Sequence, residues 1–444
     1  MDYSELVHLQ REYFKSGATL CVEGRKKVLQ RVLDMLGENK QLLSDAIYKD
    51  LHRDGILEVE KTMEEAALGI KKLDEWVKPT PFTIAEDRFT VGEDELFIVP
   101  EPLGVVLVIS PWNYPCICSA PFISALTAGN TVILKPSEIG EHFADAIHSI
   151  AEKYLDKKIF AVVKGGIPET TELLKQHFDH ICYTGNPQVA RVIMSAAAKN
   201  LTPVTLELGG KNPVLIAESA DLTDAAKKIV IGKVANCGQI CLAPDYIITT
   251  PKMKQALVTE LVKAVEEYGD LKSNPENARI VNQRHFDRIG ALVEKSQGKL
   301  LYKYDGEADR EDKFFPPQIL EVNQGDLLLK EEIFGPVLPI LEVNSFDEAI
   351  RYIQDHDKPL GAYVFTKCEC EAEKFIKHTS SGGVSVNDVM IHGSTRLMPF
   401  GGVGNSGMGR IKCEWGFKTF THEKPVVVRN KLGPQVKKLV GFEN

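Results

Sequence analysis

Three short stretches hold residue types that could do covalent chemistry. "ANCGQICLAPDY" carries Cys241 after Gly238 and Gln239 and before a Pro244-Asp245 turn. A lone cysteine is usually a small buried hydrophobe, and Cys237 in the same stretch suits that role. Cys241, set in an irregular polar loop, is the candidate nucleophile. "TLELGGKNP" puts Glu207 at the end of an apolar run. A carboxylate there is costly to bury unpaired. It is one half of an ion pair, a helix-cap partner, or a general base whose pKa burial raises. "SPWNYP" holds Asn113 between aromatic residues and prolines, a stiff loop from which a neutral amide could steady an oxyanion.

These residues need a frame to hold them. From residue 105 onward, short apolar runs ("VVLVIS", "TVILK", "FAVVKG", "HICYTG", "VTLELGG") alternate with helix-period segments. In "EHFADAIHSIAEKY" the apolar residues Phe143, Ala146, Ile147, Ile150 and Tyr154 follow helical spacing. Such alternation predicts a doubly wound parallel sheet, which binds ligands at the carboxyl ends of its strands. "LKPSE" places Lys135 and Glu138 at one such end. After Gly209-Gly210 a second alternating region begins, with strands expected at 213–216, 246–250, 337–343, 361–365 and 382–387. Helices are expected near 221–235, 254–267, 346–354 and 371–378. The first 78 residues read as helices, with Leu29, Val32, Leu33 and Leu36 on one face. The expected division is a cofactor domain of residues 1–83 and 101–208, a catalytic domain of 209–410, and bridging segments at 84–100 and 411–444. The fold class is therefore α/β: a doubly wound parallel-sheet domain, a second α/β domain and a small oligomerisation arm.

"PFGGVGNSGMG" (399–409) contains a G-x-G-x-x-G with Glu423 downstream, as a dinucleotide fingerprint would. That fingerprint needs a strand before it and a helix opening at its last glycine. Met398-Pro399 precedes it instead, and "RIKCEWGFKTF" shows no helical apolar stripe. The stretch reads as a turn where backbones pack closely.

Composition narrows the partners. The 444 residues carry a net charge of −9, which favours neither nucleic acid nor an anionic membrane. No run approaches the ~18 apolar residues of a membrane helix, and no secretory signal is visible. Nine cysteines without a disulfide framework suggest reduced thiols and a cytoplasmic protein. Neither the C-x-C pairs (Cys116/Cys118, Cys368/Cys370) nor His177 with His180 forms a four-ligand zinc spacing, so no metal is expected.

Together, "PWNYP", "KPSE", "LELGGK", "GQ-x-C", "EEIFGPV" and "PFGG-x-GNSG-x-G" closely resemble the aldehyde dehydrogenase superfamily over nearly the whole chain. "EPLGVVLVISPWNYP", "LTPVTLELGGK" and "APDY" resemble its class 3 branch, which takes fatty and aromatic aldehydes. The resemblance implies Cys241 as nucleophile, Glu207 as the base that activates water, and Asn113 as oxyanion donor. It assigns Trp112, Lys135, Glu138, Gly185, Asn186, Glu332 and Phe334 to an NAD cofactor, with NADP possible. Tyr114, Ile240, Asn387 and Phe400 would border an aldehyde substrate. A homodimer without an integral membrane anchor is implied. An acylating relative, which has no need of a water-activating carboxylate, and a non-catalytic protein of the same fold are the alternatives. Residues 185–190 read Gly-Asn-Pro-Gln-Val-Ala where the family's turn reads G-S-T-x-x-G, so pyrophosphate approach is where a departure is expected.

Overall fold

The five-residue run Val105–Ile109 is buried at every position, because it is covered from both sides. Val106 and Val108 face a core built with the helices Val22–Glu38, Lys40–Leu51 and Ile56–Trp76. Val105, Leu107 and Ile109 face another core, which includes Leu6 and Val7 from the first helix. A computed structural model describes residues 3–82, 94–274 and 277–429. Parts of the bridging segments, 84–93 and 430–444, lie outside the described residues.

The first sheet runs Phe160–Val162, Thr131–Lys135, Val105–Ile109, His180–Gly185, Val204–Leu208, all parallel. A two-residue strand, Gly407–Met408, closes one edge antiparallel to the last, with Gly407 opposite Glu207. The second sheet has seven strands. Gln318–Val322, Val337–Glu342, Tyr246–Thr249, Pro213–Ile216, Gly361–Phe365 and Gly383–Val386 are parallel, and Lys299–Lys303 adds an antiparallel edge. A third, three-stranded antiparallel sheet joins Thr80–Phe82 and Thr421–Val428 on either side of Glu95–Pro102.

Every strand expected from an uninterrupted apolar run is present within a residue or two. Lys299–Lys303, Gln318–Val322 and the helix Gln283–Lys295 carried no such signal. The Lys299–Lys303 edge is exposed or half-buried throughout and so has no apolar run to read. "CEWGFKT" (413–419) does form a short helix, but the strand after it pairs antiparallel in the third sheet, so no βαβ unit arises.

The glycine-rich stretch is a tight turn against the first sheet. A side chain at Gly402 would run into the Ser406–Gly407 backbone, and one at Gly407 (φ 145°) into the Leu206 carbonyl. Cys368 and Cys370 are disulfide-bonded, contrary to the expectation of free thiols throughout. The extended residue before the Glu369–His378 helix brings their Cα atoms to 5.4 Å.

The chain passes from the first sheet to the second within the four residues 209–212. The carboxyl end of the Val204–Leu208 strand thereby faces the amino ends of the Pro213–Ile216 and Tyr246–Thr249 strands. The loops of that junction build the site.

Candidate active site

Cys241 sits on a loop that backbone strain shapes and buried amides lock. Asn236 (φ 49°), Cys237 (φ 54°) and Gly238 (φ 70°) are three consecutive left-handed residues. Non-glycine residues there cost of order 1–3 kcal/mol each, which the surroundings must offset. They do so through side chains. Gln239, fully buried, donates to the Asn236 and Arg279 carbonyls at 2.9 Å each and accepts from the Val281 N–H at 2.9 Å. Asn212 donates to the Cys241 carbonyl at 2.8 Å and to that of Ala243 at 3.0 Å, and accepts from the Gly361 N–H. The Tyr363 hydroxyl donates to the Leu242 carbonyl at 2.6 Å. The loop is irregular but held carbonyl by carbonyl.

Glu207 is 2 % exposed, and the Cys241 thiol lies close enough for each group to shift the other. Its Oε1 is buried without a hydrogen-bond partner. Among the described residues it forms no ion pair. Burial pushes its pKa up to about 8, opposed by the neighbouring Cys241 thiol and then by the Lys412 ammonium. Cys241 keeps an accessible face, yet the walls around it raise its thiol well above the usual range, with Glu207, Cys118 and Glu332 adding to that. The resting pair is therefore a thiol beside a carboxyl group that exchanges its proton near pH 8.

Asn113 is 5 % exposed. Its side-chain amide donates to the Gln239 carbonyl at 3.0 Å, which ties the oxyanion candidate to the nucleophile's own loop. Its carbonyl accepts from Arg53 and Asn236, both at 3.0 Å. Arg53 also pairs with buried Glu58 at 2.5 Å and lies 4.4 Å over the Tyr114 ring. Glu58 in turn accepts from the N–H groups of Cys116 and Ile117. Burial holds the Tyr114 hydroxyl at about 12, so it stays protonated. Ile240, Leu242 and Phe400 share one apolar cluster with Cys241.

Asn387 is placed elsewhere. It follows the Gly383–Val386 strand at the carboxyl edge of the second sheet, whereas Cys241 precedes the amino edge. Its side chain accepts from the Thr366 N–H at 2.8 Å, and its carbonyl accepts from Lys228. A left-handed backbone (φ 57°) lets it cap the strand ends there.

The residues assigned to a nucleotide gather around the first sheet's carboxyl ends. Lys135 is buried, donates to the Pro136 carbonyl at 2.7 Å and lies 3.5 Å from the Glu138 carboxylate. Trp112 meets Phe334 edge-on at 5.5 Å. Glu332 packs against Gly209 and is pushed up to about 8 by burial and then by Asp245. Lys211 pairs with Asp245, which accepts from the Ile333 N–H at 3.1 Å. An apolar and aromatic slot with a carboxyl and an ammonium–carboxylate pair at its ends suits hydroxyl-rich sugars and a flat ring, so the residues fit such a cofactor. At the departing turn, Asn186 caps the Pro187–Ala197 helix, its side chain accepting from the Val189 N–H at 2.9 Å. Pro187 takes the first helical position and Ala190 is buried in the core. A side chain at Gly185 would collide with the Tyr183 ring.

Sequence reasoning did not single out Asn212, Arg53, Glu58 or Arg288. Arg288 donates to the Ile333 carbonyl at 2.6 Å and so sets the loop bearing Glu332 and Phe334. Asn212 had a readable signal, a polar residue just before an apolar strand and five after Glu207. The other three act across long sequence separations and had none.

Comparison with known proteins places this geometry. Residues 1–426 match the family model described as the aldehyde dehydrogenase family. "Aldehyde dehydrogenase, dimeric NADP-preferring" of Rattus norvegicus is 43% identical over 443 residues, covering 98% of this chain and 96% of that protein. "Aldehyde dehydrogenase family 3 member A2" of Mus musculus is 41% identical over 437 residues, covering 97% and 89%. The solved structure titled "Substrate bound state of Staphylococcus Aureus AldH" superposes with a TM-score of 0.92 at 33% identity, covering 99% of this chain and 98% of that one.

Proposed function

The chain belongs to the aldehyde dehydrogenase family, and from that premise we propose that Cys241, Glu207 and Asn113 oxidise an aldehyde to its carboxylic acid with NAD or NADP. The observation that carries this reading is the Glu207 carboxyl, enclosed at a strand end beside the Cys241 thiol.

Cys241, its proton released to solvent, bonds the aldehyde carbon through sulfur as the carbonyl electron pair moves to oxygen. The Asn113 amide and the Cys241 backbone N–H steady that oxyanion. The nicotinamide, when bound, supplies the hydride acceptor. Loss of hydride from the tetrahedral centre leaves a thioester on Cys241, and the substrate has given up two electrons. Glu207, having released its own proton to solvent, takes one from the water that attacks the thioester. The thiol leaves and the acid is free.

Lys135, Glu138, Trp112, Glu332 and Phe334 hold the cofactor in this reading, with Gly185 and Asn186 beside its phosphates. Tyr114, Ile240, Leu242 and Phe400 make an apolar wall suited to aliphatic and aromatic aldehydes. The name of the rat relative, dimeric and NADP-preferring, supports a homodimer and the use of NADP beside NAD. No helix among the described residues is long and apolar enough to cross a membrane. A thiol nucleophile also favours the reducing cytoplasm.

The test is reduced-cofactor absorbance with hexanal, decanal and benzaldehyde, each with NAD and NADP, for wild type and Cys241→Ala. Turnover is expected only with Cys241 present. Oxidation of these aldehydes by Cys241→Ala at the wild-type rate would overturn the reading.

A further inference from the structure

Lys412 stands over Phe400 of the proposed substrate wall and takes no part in the reaction above. It stands in the left-handed region (φ 80°), as does Cys413 (φ 50°). Two ties hold it there. The Ile411 N–H donates to the Phe400 carbonyl at 2.7 Å, and Glu65 accepts from the Cys413 N–H at 2.5 Å. The Lys412 ammonium bonds the Gly393 carbonyl and lies 4.6 Å over the Phe400 ring. Gly393 is packed so closely against Leu242 and Phe400 that a side chain there would strike both. The cation is thereby one packed residue from the Cys241-Leu242 backbone.

Among the described residues this ammonium forms no ion pair. Glu65, the carboxylate nearest along the Cys413 tie, is committed to Ser124 at 2.8 Å and to both the N–H and the thiol of Cys413. Glu207 and Cys241 face it, but both rest in their neutral forms at pH 7. Burial lowers the Lys412 pKa, while Cys241, Glu65 and Cys118 hold it up. An ammonium half-buried against an aromatic ring, with no ion pair of its own, is stabilised further by a ligand that brings an anion.

Resting on the dehydrogenase reading, we propose that Lys412 is a specificity-determining residue that binds a carboxylate carried by the aldehyde, so that the preferred substrates are short semialdehydes of dicarboxylic acids. The apolar wall takes the carbon chain, Cys241 the aldehyde carbon, and Lys412 the terminal carboxylate. Two of its three N–H groups remain for that contact beyond the Gly393 bond.

The experiment compares kcat/KM for glutaric semialdehyde with kcat/KM for pentanal in wild type, Lys412→Met and Lys412→Arg. The semialdehyde-to-pentanal ratio is expected to fall at least ~30-fold in Lys412→Met, mainly through KM, and to recover in large part in Lys412→Arg. An unchanged ratio overturns the proposal even if both rates fall, because a role in folding or in activating Cys241 lowers both alike. Should Lys412→Met not fold, the wild type decides alone. It must favour the semialdehyde by at least ~10-fold in kcat/KM, and parity overturns the proposal. Wild-type protein that oxidises neither aldehyde refutes the dehydrogenase reading instead, a distinguishable result.

Discussion

Replacing Glu207 by glutamine tests the buried carboxyl in two independent ways. Its pKa in the folded protein is raised from 4.5 to about 8, mainly by burial. The folded state thus holds the proton more tightly than the unfolded chain. The stability this contributes is complete below pH 4.5 and is lost as pH climbs to 8. At about 1.4 kcal/mol per pH unit, the full loss is about 5 kcal/mol. Glutamine occupies the same place without titrating. Relative to wild type, Glu207→Gln should therefore gain about 1 kcal/mol at pH 5, about 3 at pH 7, and approach 5 above pH 9. Urea unfolding of both proteins across that range measures the difference. The same variant should release a burst of about one reduced cofactor per active site and then stall, because the thioester forms but water is not activated. A stability difference that is flat or shrinks with rising pH would refute the raised pKa. Unchanged steady-state turnover would refute the base.

Asn113→Ala removes the proposed oxyanion donor, and hydride transfer in a single turnover should slow by about 10²–10³-fold, or ~3–4 kcal/mol. A change of less than about threefold would assign Asn113 only to the Gln239 tie. The protein should remain in the soluble fraction after lysis and sediment at twice the chain mass. Recovery in salt-washed membranes, or a monomer at micromolar concentration, would contradict the expected location and assembly.

Both α/β sheets were legible because strands buried on two faces must be apolar throughout, and a run such as "VVLVI" needs no partner to be recognised. Cys241, Glu207 and Asn113 stood out for the opposite reason: each is a reactive or polar group in a setting that ordinarily excludes it. The glycine-rich stretch at 402–407 satisfied a cofactor pattern by spacing alone. Its context argued against that pattern, and the structure turns it into an edge strand whose Gly407 lies opposite Glu207. Asn387 follows its strand whereas Cys241 precedes one, and nothing in one sequence tells which end of a strand meets the nucleophile.

By itself, then, the sequence determined the strand and helix periods, the family, and which side chains are chemically able to act. Those properties are local, written in side-chain type and spacing. Only the tertiary structure decided that Arg53 and Asn236 hold the Asn113 carbonyl, that Asn212 and Tyr363 lock the nucleophile loop, and that Lys412 stands over Phe400 without an ion pair among the described residues. Hydrogen bonds and buried charges are satisfied by whatever the fold brings near, here across separations of up to 348 residues, as between Glu65 and Cys413. No local pattern encodes such a partner.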